Sequence, residues 1–291
     1  MDIERYDTAI LFDEKRIAFS WKSEDAGYRG QEVWDAAAPN FAKMPIPTGD
    51  DPFIRMLDDE VEFTPDMRVL DIGCGSGIYG LALASRVGEV VGIDISPKMI
   101  EAAREKACAL DVRNVRFVQG DFRDMTFDGG FDLVFAHMTP AIGDAEAFLK
   151  MMSLAKRWCY FARPVRRTDE VLFEARRRCG LPESRDPFDT DFLSAFSLAW
   201  LRGYTPEIRR HHDVWNTDRP LEEAIRLYAD RLVSTSLDEG RKAVVEEYLR
   251  SIAQEGIVRE HIETTVVMMG FCIDEGRPAS VACRPSIAVE A

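Results

Sequence analysis

Paired cysteine motifs are missing from this chain of 291 residues. No two of its six cysteines form the Cys-x-x-Cys pair that zinc clusters and redox motifs use. They are Cys74, Cys108, Cys159, Cys179, Cys272 and Cys283. Only four histidines occur, and none has the glutamate and the i, i+4 spacing of a metalloprotease helix. We therefore expect reduced thiols, no disulfide framework and no metal site.

Long apolar runs and an excess of positive charge are also missing. No segment approaches the roughly 18 uninterrupted apolar residues of a membrane span. The N-terminus, with acidic residues at positions 2 and 4, is unlike a secretory signal. The sequence therefore predicts a cytoplasmic protein outside the membrane. A net charge of −14 argues against a nucleic-acid partner, because phosphates need a basic face to neutralise them. We interpret the basic clusters at 163–167 and 176–178 as solvated surface.

Hydrophobic residues make up 46% of the chain, which is enough for a packed core. Between residues 68 and 162, apolar strand-like runs alternate with helix-like segments. The predicted strands are 68–72, 90–94, 115–119, 131–137 and 158–162, and the predicted helices are 78–86, 97–110 and 141–157. Such alternation predicts a parallel sheet with helices on both faces.

The segments on either side of this region have other patterns. The first 30 residues show no clean period, a helix is predicted over 31–41, and a short helix begins at Pro52. Later predicted helices are 170–178, 192–201, 220–232 and 237–253, and later predicted strands are 208–215 and 264–273. We interpret the helices between these two strands as either a cap over a pocket or additional packing surface. Residues from Asp274 onward resemble a loose tail.

A glycine-rich stretch, Gly73-Cys74-Gly75-Ser76-Gly77, follows the first predicted strand and precedes a helix. Glycine suits positions where a turn requires positive φ, and positions where a ligand approaches the backbone too closely for a Cβ atom. The stretch therefore predicts a bound nucleotide-like cofactor.

Two classes of cofactor fit this stretch. Residues 75–80 satisfy the pattern G-x-G-x-x-G. Asp94 follows Gly75 at close to the spacing of about 20 residues that is expected for the ribose-binding acid of a nicotinamide enzyme. An NAD(P)-dependent oxidoreductase is therefore one interpretation. Asp71, at the end of the first strand, would repel a pyrophosphate held at the helix N-terminus. A ligand that carries an amino group and a sulfonium, such as S-adenosylmethionine (SAM), would instead be attracted.

With Asp71 included, the stretch reads Asp-x-Gly-x-Gly-x-Gly and resembles the class I SAM-dependent methyltransferases. The resemblance implies that Asp94 binds the ribose hydroxyls, and that Asp121 accepts a hydrogen bond from the adenine amino group. It also implies that residues 136–140, at the end of the strand 131–137, line the cofactor near its methyl group. The full implied set of cofactor-binding residues is Asp71, Gly73, Cys74, Gly75, Gly77, Asp94, Ile95, Met99, Asp121, Phe122 and His137.

The resemblance also implies the fold and the domain organisation. We expect an α/β fold with a mostly parallel, doubly wound sheet, an antiparallel final strand, and helical additions at both ends. The expected domains are an N-terminal arm and lid helix (1–48), a SAM-binding core (49–165), late strands with inserted cap helices (166–275) and a tail (276–291).

The implied reaction is an in-line displacement at the SAM methyl carbon by a nucleophile on a small molecule, with S-adenosylhomocysteine as the product. His137, at the end of the fourth strand, is the candidate general base. The alternative is that His137 shapes the pocket without moving a proton. Tyr79 and Asp144 are weaker candidates for the base.

The identity of the acceptor stays open. The fourth strand does not end in the Asn/Asp-Pro-Pro-Tyr/Phe run that is typical of methylation at nucleic-acid or protein nitrogens. The aromatic residues Trp21, Tyr28, Trp34 and Phe41 predict either a lid over a small hydrophobic acceptor or ordinary core. An oxidoreductase, an RNA or protein methyltransferase, and a SAM-binding regulator without turnover are the alternatives. A homodimer is an alternative to a monomer.

Overall fold

Seven strands form one sheet at the centre of the computed structural model, which describes residues 13–21, 30–181, 187–232 and 237–273. The strands are β1 (Arg68–Ile72), β2 (Glu89–Asp94), β3 (Val115–Gln119), β4 (Phe131–His137), β5 (Ala155–Asp169), β6 (Glu207–Pro220) and β7 (Ile257–Cys272). Their order is β3-β2-β1-β4-β5-β7-β6. Strands β1 to β5 pair in parallel, and β7 runs antiparallel to both β5 and β6. The predicted doubly wound sheet with an antiparallel final strand is confirmed.

Helices cover both faces of this sheet. Those in the described part of the chain are α1 (Glu14–Ser20), α2 (Gln31–Phe41), α3 (Pro52–Glu60), α4 (Ile78–Leu83), α5 (Pro97–Ala109), α6 (Ala145–Leu154), α7 (Glu170–Arg178), α8 (Pro187–Leu201), α9 (Leu221–Arg231) and α10 (Glu239–Ile252). Pro52 and Pro97 begin α3 and α5, where the fixed φ of proline suits the first helical turn. The side chains of Asp51 and Ser96 cap the same two helices. Within the described ranges, none of the helices is both long and apolar enough to cross a membrane.

The sheet is buried on both faces. In β1, Val69 joins one buried cluster with Phe53 of α3, whereas Leu70 joins a second cluster with Phe148 of α6. Strands that are buried on both sides carry apolar residues at consecutive positions. This explains why β1, β2 and β4 read as continuous apolar runs in the sequence.

Strand β5 is longer than the sequence predicts. It begins at Ala155, which ends α6 earlier than expected, and it continues through Pro164 to Asp169. Strand β4 pairs with β5 only as far as Ala162. Beyond that point only β7 pairs with β5, and an edge position tolerates a proline that cannot donate a hydrogen bond. The predicted end of this strand at Ala162 is wrong for this reason.

Strands β6 and β7 form a long hairpin that extends beyond the predicted segments 208–215 and 264–273. Helices α7, α9 and α10 share a buried cluster that includes Tyr228, Leu249 and Val258 of β7. We name these three helices the cap. Helix α9 begins at Leu221, and α10 begins at Glu239 after its capping residue.

The N-terminal region contains a helix, α1, that the sequence did not predict. Trp21 follows this helix and is buried, and its Nε1 donates a hydrogen bond to Asp191 of α8 at 2.9 Å. Trp21 therefore belongs to the core and not to a lid. Tyr28 and the expected tail from Asp274 lie outside the described residues.

Candidate functional site

A cavity of about 2320 Å³ opens at the carboxyl ends of the parallel strands. Open α/β sheets bind ligands at this edge. Its lining residues fall into two stretches of the sequence, and we name the parts that they line the inner half (residues between 32 and 141) and the distal half (residues between 163 and 266). The inner half contains the glycine-rich loop, and the distal half is bounded by the β6–β7 hairpin and the cap.

The glycine-rich loop, residues 73–77, is held in place by the elements around it. The Cys74 amide donates to the carbonyl of Ile93 in β2 at 2.8 Å. The buried Ser76 hydroxyl donates to the carbonyl of Phe41, at the end of α2, at 2.8 Å. The loop is therefore fixed between the sheet and α2.

Two glycines of this loop serve different purposes. Gly75 has a φ of +52°, and a Cβ atom there would meet only the Phe41 ring, at 3.8 Å. Gly77 has a φ of +75°, and a Cβ atom there would lie 2.5 Å from the Phe117 ring of β3. Packing against the sheet therefore requires Gly77, whereas Gly75 leaves space in the cavity above the loop.

Asp94 lies at the end of β2 and faces the inner half of the cavity. Its carboxylate accepts hydrogen bonds from the backbone amides of Gly75 and Ser96, each at 2.9 Å. Burial raises the pKa of this carboxyl above its usual range. Each carboxylate oxygen has two lone pairs, so Asp94 retains acceptor positions for the hydroxyls of a ligand.

The apolar residues of the predicted set lie around Asp94. Ile95 and Met99 line the inner half, and so does Phe122, which follows β3. Met99 and Phe122 are almost completely buried, so that only small parts of these side chains face the cavity. The structure thus brings Asp94, Ile95, Met99 and Phe122 to one cavity with the loop.

Asp121 does not face that cavity. Its carboxylate accepts hydrogen bonds from the backbone amide of Arg123 at 2.9 Å and from the Arg123 guanidinium at 2.7 Å. These bonds hold the pKa of Asp121 below its usual range. The residue that the resemblance assigns to the adenine amino group is therefore already bound by a neighbouring arginine.

Asp71 is also turned away from the cavity. It is buried beside α4, and a Cβ atom on Gly80 would lie 3.5 Å from its Oδ2. That oxygen has no hydrogen-bond partner among the described residues. Burial raises the pKa of Asp71 to about 8. The buried carboxyl therefore holds its proton to a higher pH than an exposed aspartate, and it is not among the residues that line the cavity.

His137 lies between two aromatic rings at the base of the cavity. The ring centroids of Phe53 and Tyr79 are 4.6 Å and 4.2 Å from that of the imidazole. Burial in this stack lowers the pKa of His137 to about 3. The Tyr79 hydroxyl donates to Asp51 at 3.2 Å, and burial raises its pKa. Asp144 caps α6 and does not line the cavity.

Cys74 lines the inner half, but its thiol is buried, and this burial raises its pKa well above the usual range. A thiol of this kind is a poor nucleophile at neutral pH. In the described part of the chain, no group of His, Cys, Asp and Glu side chains could hold a metal ion.

Helix α2 covers the inner half. Trp34 and Phe41 line the cavity from this helix, and their rings meet edge to face with centroids 6.4 Å apart. Asp35 of α2 accepts a hydrogen bond from the Ser96 hydroxyl at 2.5 Å, which lowers the pKa of Asp35. Two of the four aromatic residues that the sequence singles out therefore line the cavity.

Sequence reasoning missed the side chains that β6 directs into the distal half. Alternate residues of this strand are exposed and half-buried along its length after Ile208. The half-buried ones that line the cavity are His211, Asp213, Trp215, Thr217 and Arg219. The sequence of this segment alternates between two kinds of residue but contains few apolar ones. Such a pattern predicts a strand, but it does not predict that one face of the strand lines a cavity.

Arg163 was also misread. The sequence predicts a solvated basic cluster at 163–167, yet Arg163 is only 1% exposed. Its guanidinium donates to the carbonyls of Thr139 and Ile142 and forms an ion pair with Asp191 at 3.3 Å. Arg163 therefore fixes the loop after β4, which lines the cavity through residues 138–141.

Known proteins resemble this chain over part of its length. Residues 63–179 match a family model described as a methyltransferase domain. The nocamycin O-methyltransferase of Saccharothrix syringae is 36% identical over 136 residues, which cover 45% of this chain and 44% of that protein. The cypemycin N-terminal methyltransferase of a Streptomyces species is 47% identical over 66 residues, which cover 23% of this chain and 26% of that protein. The chain thus spans less than half the length of both relatives.

A solved structure of a SAM-dependent methyltransferase from Thiobacillus denitrificans, in complex with S-adenosyl-L-homocysteine, also resembles the chain. The superposition has a TM-score of 0.44 at 18% identity and covers 80% of this chain and 96% of that one.

Proposed function

We propose, starting from the class I methyltransferase domain that this chain carries, that the protein transfers a methyl group from SAM to a small-molecule acceptor. The match of residues 63–179 to a methyltransferase domain carries this proposal. The matched region contains both the glycine-rich loop and Asp94, and these line the same cavity. S-Adenosylhomocysteine would be the second product.

The inner half of the cavity fits SAM by its chemistry. Gly75 leaves space above the loop, and Asp94 offers acceptor positions to ribose hydroxyls. The charged residues of this half are Glu32, Asp51 and Asp94, with no lysine or arginine among its described lining residues. Carboxylates without a cation suit a ligand with a sulfonium and an ammonium group, and they disfavour the pyrophosphate of NAD(P).

SAM supplies a methyl group that its sulfonium has already activated. The residues of the chain would have to orient the acceptor and exclude water. Helix α2 covers the loop through the bond between Ser76 and Phe41, which limits the access of water to the inner half. We propose that His137 shapes the wall near the methyl group, because its low pKa makes it a weak base at neutral pH.

Calorimetry with SAM, S-adenosylhomocysteine, NAD and NADP tests the choice of cofactor. We expect SAM and S-adenosylhomocysteine to bind and both nicotinamide cofactors to show no heat of binding. Tight binding of NAD or NADP without binding of SAM would overturn the proposal. A labelled methyl group that passes from SAM into small molecules of a cell extract would separate an enzyme from a regulator without turnover, and label in RNA or protein instead would contradict the proposed acceptor class.

Asp94→Ala tests the placement of the cofactor, and Asp121→Ala is its matched control. Removal of Asp94 should weaken SAM binding by about tenfold or more, because charge-assisted bonds to the ribose would be lost. Removal of Asp121 should change the affinity by less than about threefold, since Arg123 already binds its carboxylate. Normal SAM binding by Asp94→Ala would remove the ribose assignment. An equal loss in Asp121→Ala would restore the adenine role that the resemblance implies.

The cytoplasmic location and the homodimer are further proposals. Fractionation of the source cells tests the first. Sedimentation velocity at two protein concentrations tests the second, and a single monomer species at both concentrations would contradict it.

A further inference from the structure

The wall of the cavity beside Asp94 is apolar. The amide of Gly120, which follows β3, donates to the carbonyl of Asp94 at 2.9 Å, so the ends of β2 and β3 lie side by side. Ile95, Met99 and Phe122 line the cavity here, and we name the space that they line the base slot. Apolar walls next to a ribose-binding carboxylate suit the flat base of an adenosine group.

Adenine carries an amino group, and the described residues of the base slot offer it no free carboxylate. Asp94 accepts two backbone amides, and its other acceptor positions are assigned to the ribose. Asp121 does not line the cavity, and both of its oxygens accept hydrogen bonds from Arg123. Lys150 of α6 donates to the carbonyls of Phe122 and Arg123 at 2.7 and 2.8 Å. The loop after β3 is therefore fixed with Asp121 turned away from the slot.

Helix α2 runs across the carboxyl ends of the parallel strands. At the end of this helix, the Phe41 carbonyl accepts from Ser76 in the loop that follows β1. Nearer its start, Asp35 accepts from the Ser96 hydroxyl and the Lys98 amide, in the first turn of α5 after β2. The helix thus leads from β1 to β2, and its first turn continues towards β3, the next strand of the sheet.

Glu32 lies in this first turn of α2. Its side chain is exposed and lines the cavity, and its carboxylate has no hydrogen-bond or ion-pair partner among the described residues. Residues three positions apart are neighbours on a helix, so Glu32 lies beside Asp35. Asp35 binds Ser96, whose hydroxyl oxygen accepts from the amide of Met99 in the base slot. The free carboxylate of Glu32 is therefore one helical turn from the contact between α2 and the wall of the slot.

The other carboxylates that line the inner half are already occupied. Asp51 accepts from the amides of Phe53 and Ile54 and from the Tyr79 hydroxyl. Asp94 accepts from two amides, as described above. Within the described lining of the inner half, Glu32 is thus the carboxylate that keeps all of its acceptor positions for a ligand.

We infer that Glu32 accepts a hydrogen bond from the amino group of the bound adenine, in the role that the resemblance gives to Asp121. This inference rests on the proposed function, because it requires the adenosine group of SAM in the inner half. The amino group has two N–H donors and a carboxylate has only acceptors, so the two groups are complementary. Through Glu32, the helix that covers the loop would also bind the base.

Two ligands test the inference: S-adenosylhomocysteine, and its deamino analogue, in which a hydrogen atom replaces the amino group of the base. Calorimetry measures the affinity of the full chain for each. Wild type should bind S-adenosylhomocysteine at least about fivefold more tightly than the analogue, because the analogue cannot donate to a carboxylate. Glu32→Ala should reduce this ratio to less than about twofold, by weakening S-adenosylhomocysteine and leaving the analogue unchanged.

Asp121→Ala and Glu101→Ala are the matched controls. The first removes the carboxylate that the resemblance assigns to adenine, and the second removes an exposed glutamate of α5 that does not line the cavity. Both variants should keep the ratio of the two affinities within about twofold of wild type. Glu32 and Glu101 are exposed, so neither substitution removes a buried contact.

Equal affinity of wild type for the two ligands would overturn the inference, and so would an unchanged ratio in Glu32→Ala. An equal loss of both ligands in Glu32→Ala would also overturn it, because Glu32 would then act on the ammonium group or on α2 alone. Loss of the ratio in Asp121→Ala would return the amino group to Asp121. Failure of wild type to bind either ligand is a separate result, and it would refute the proposed function itself.

Discussion

The carboxyl group of Asp71 shows how strongly the fold changes a single residue. It lies one residue before the end of β1, close to the glycine-rich loop, but it is 3% exposed and has one oxygen without a hydrogen-bond partner among the described residues. Desolvation is the main cause of its pKa of about 8. An unfolded chain would return this pKa to about 4.

This difference predicts how the stability of the ligand-free protein depends on pH. The folded state holds the proton more tightly than the unfolded state, so the contribution of Asp71 is greatest below about pH 4 and is lost as the pH rises towards 8. Asp71→Asn removes the titrating group. At pH 8.5 the free energy of unfolding of this variant should exceed that of the wild type by a few kcal/mol at most, and at pH 5 the difference between the two should be smaller. Urea denaturation at both pH values measures it. Parallel loss of stability in the two proteins would contradict the prediction.

Residue identities at the site were predictable where they depend on neighbours in the sequence. The positions of Gly75 and Asp94 at the cavity were predictable because local sequence patterns identify the loop and the end of β2. Arg163 was missed because its burial depends on Thr139 and Asp191, which lie in other elements. A local pattern cannot show that distant carbonyls and a carboxylate will satisfy a buried guanidinium.

Ser96 joins two elements at the site. Its hydroxyl oxygen accepts from the Met99 amide at 3.1 Å and so caps α5, while the hydroxyl donates to Asp35 of α2. A single side chain thus stabilises the helix after Asp94 and fixes the helix that covers the inner half.

Ser96→Ala and Asp144→Ala separate these two effects. Each variant removes a helix N-cap and should lower the free energy of unfolding by about 1 kcal/mol. Only Ser96→Ala also removes one of the bonds that hold α2, while the bond from Ser76 to Phe41 remains, so only this variant should release S-adenosylhomocysteine faster, by about fivefold. Stopped-flow displacement measures the release. The same release rate in both variants would show that the bond to Asp35 does not hold α2 closed.

Elements were predictable where packing is regular. Strands β1, β2 and β4 are buried on both faces, and their apolar runs were read with the correct bounds or nearly so. The ends of β5, β6 and β7 were missed because they leave the core. There a proline at an edge and charged residues on a half-exposed hairpin resemble a loop in the sequence.

The molecule as a whole contains more than one core. Two large buried clusters cover the two faces of the sheet, and a third joins α7, α9 and α10 with Val258 of β7. Phe122 and Phe53 of the inner half belong to the first two clusters, whereas Leu232 of the distal half belongs to the third and Leu172 packs against it. We expect the cap to open without loss of the cofactor site.

Leu249→Ala tests this division, with Leu57→Ala as the control. Both side chains are fully buried, Leu249 in the cap and Leu57 under the sheet. Each truncation should cost about 2–5 kcal/mol locally. Leu249→Ala should speed amide hydrogen exchange in α7, α9 and α10 and leave SAM affinity within about twofold, whereas Leu57→Ala should affect the whole sheet. Faster exchange throughout the sheet in Leu249→Ala would contradict the division.

The parallel core could be predicted at this scale, but the cavity could not. Its distal wall combines side chains of β5, β6, β7 and the cap. These elements are separated in the sequence, and they form one wall only through the long pairing of β6 with β7. The sequence left open whether the late helices form a cap or only packing surface. For the helices between β6 and β7 the structure supports both tasks, since Leu227 lines the cavity while Tyr228 and Leu249 are buried.

The alternation along β6 has a consequence for how this protein could acquire new specificity. Positions 211, 213, 215, 217 and 219 line the cavity, while 212, 214, 216 and 218 are exposed on the other face. Backbone hydrogen bonds to β7 run along the whole strand, and of the five lining side chains Arg219 is also required for pairing with the buried Glu260. A library restricted to positions 211, 213, 215 and 217 would therefore vary the wall of the cavity on one scaffold, whereas substitutions at the even positions would leave that wall unchanged.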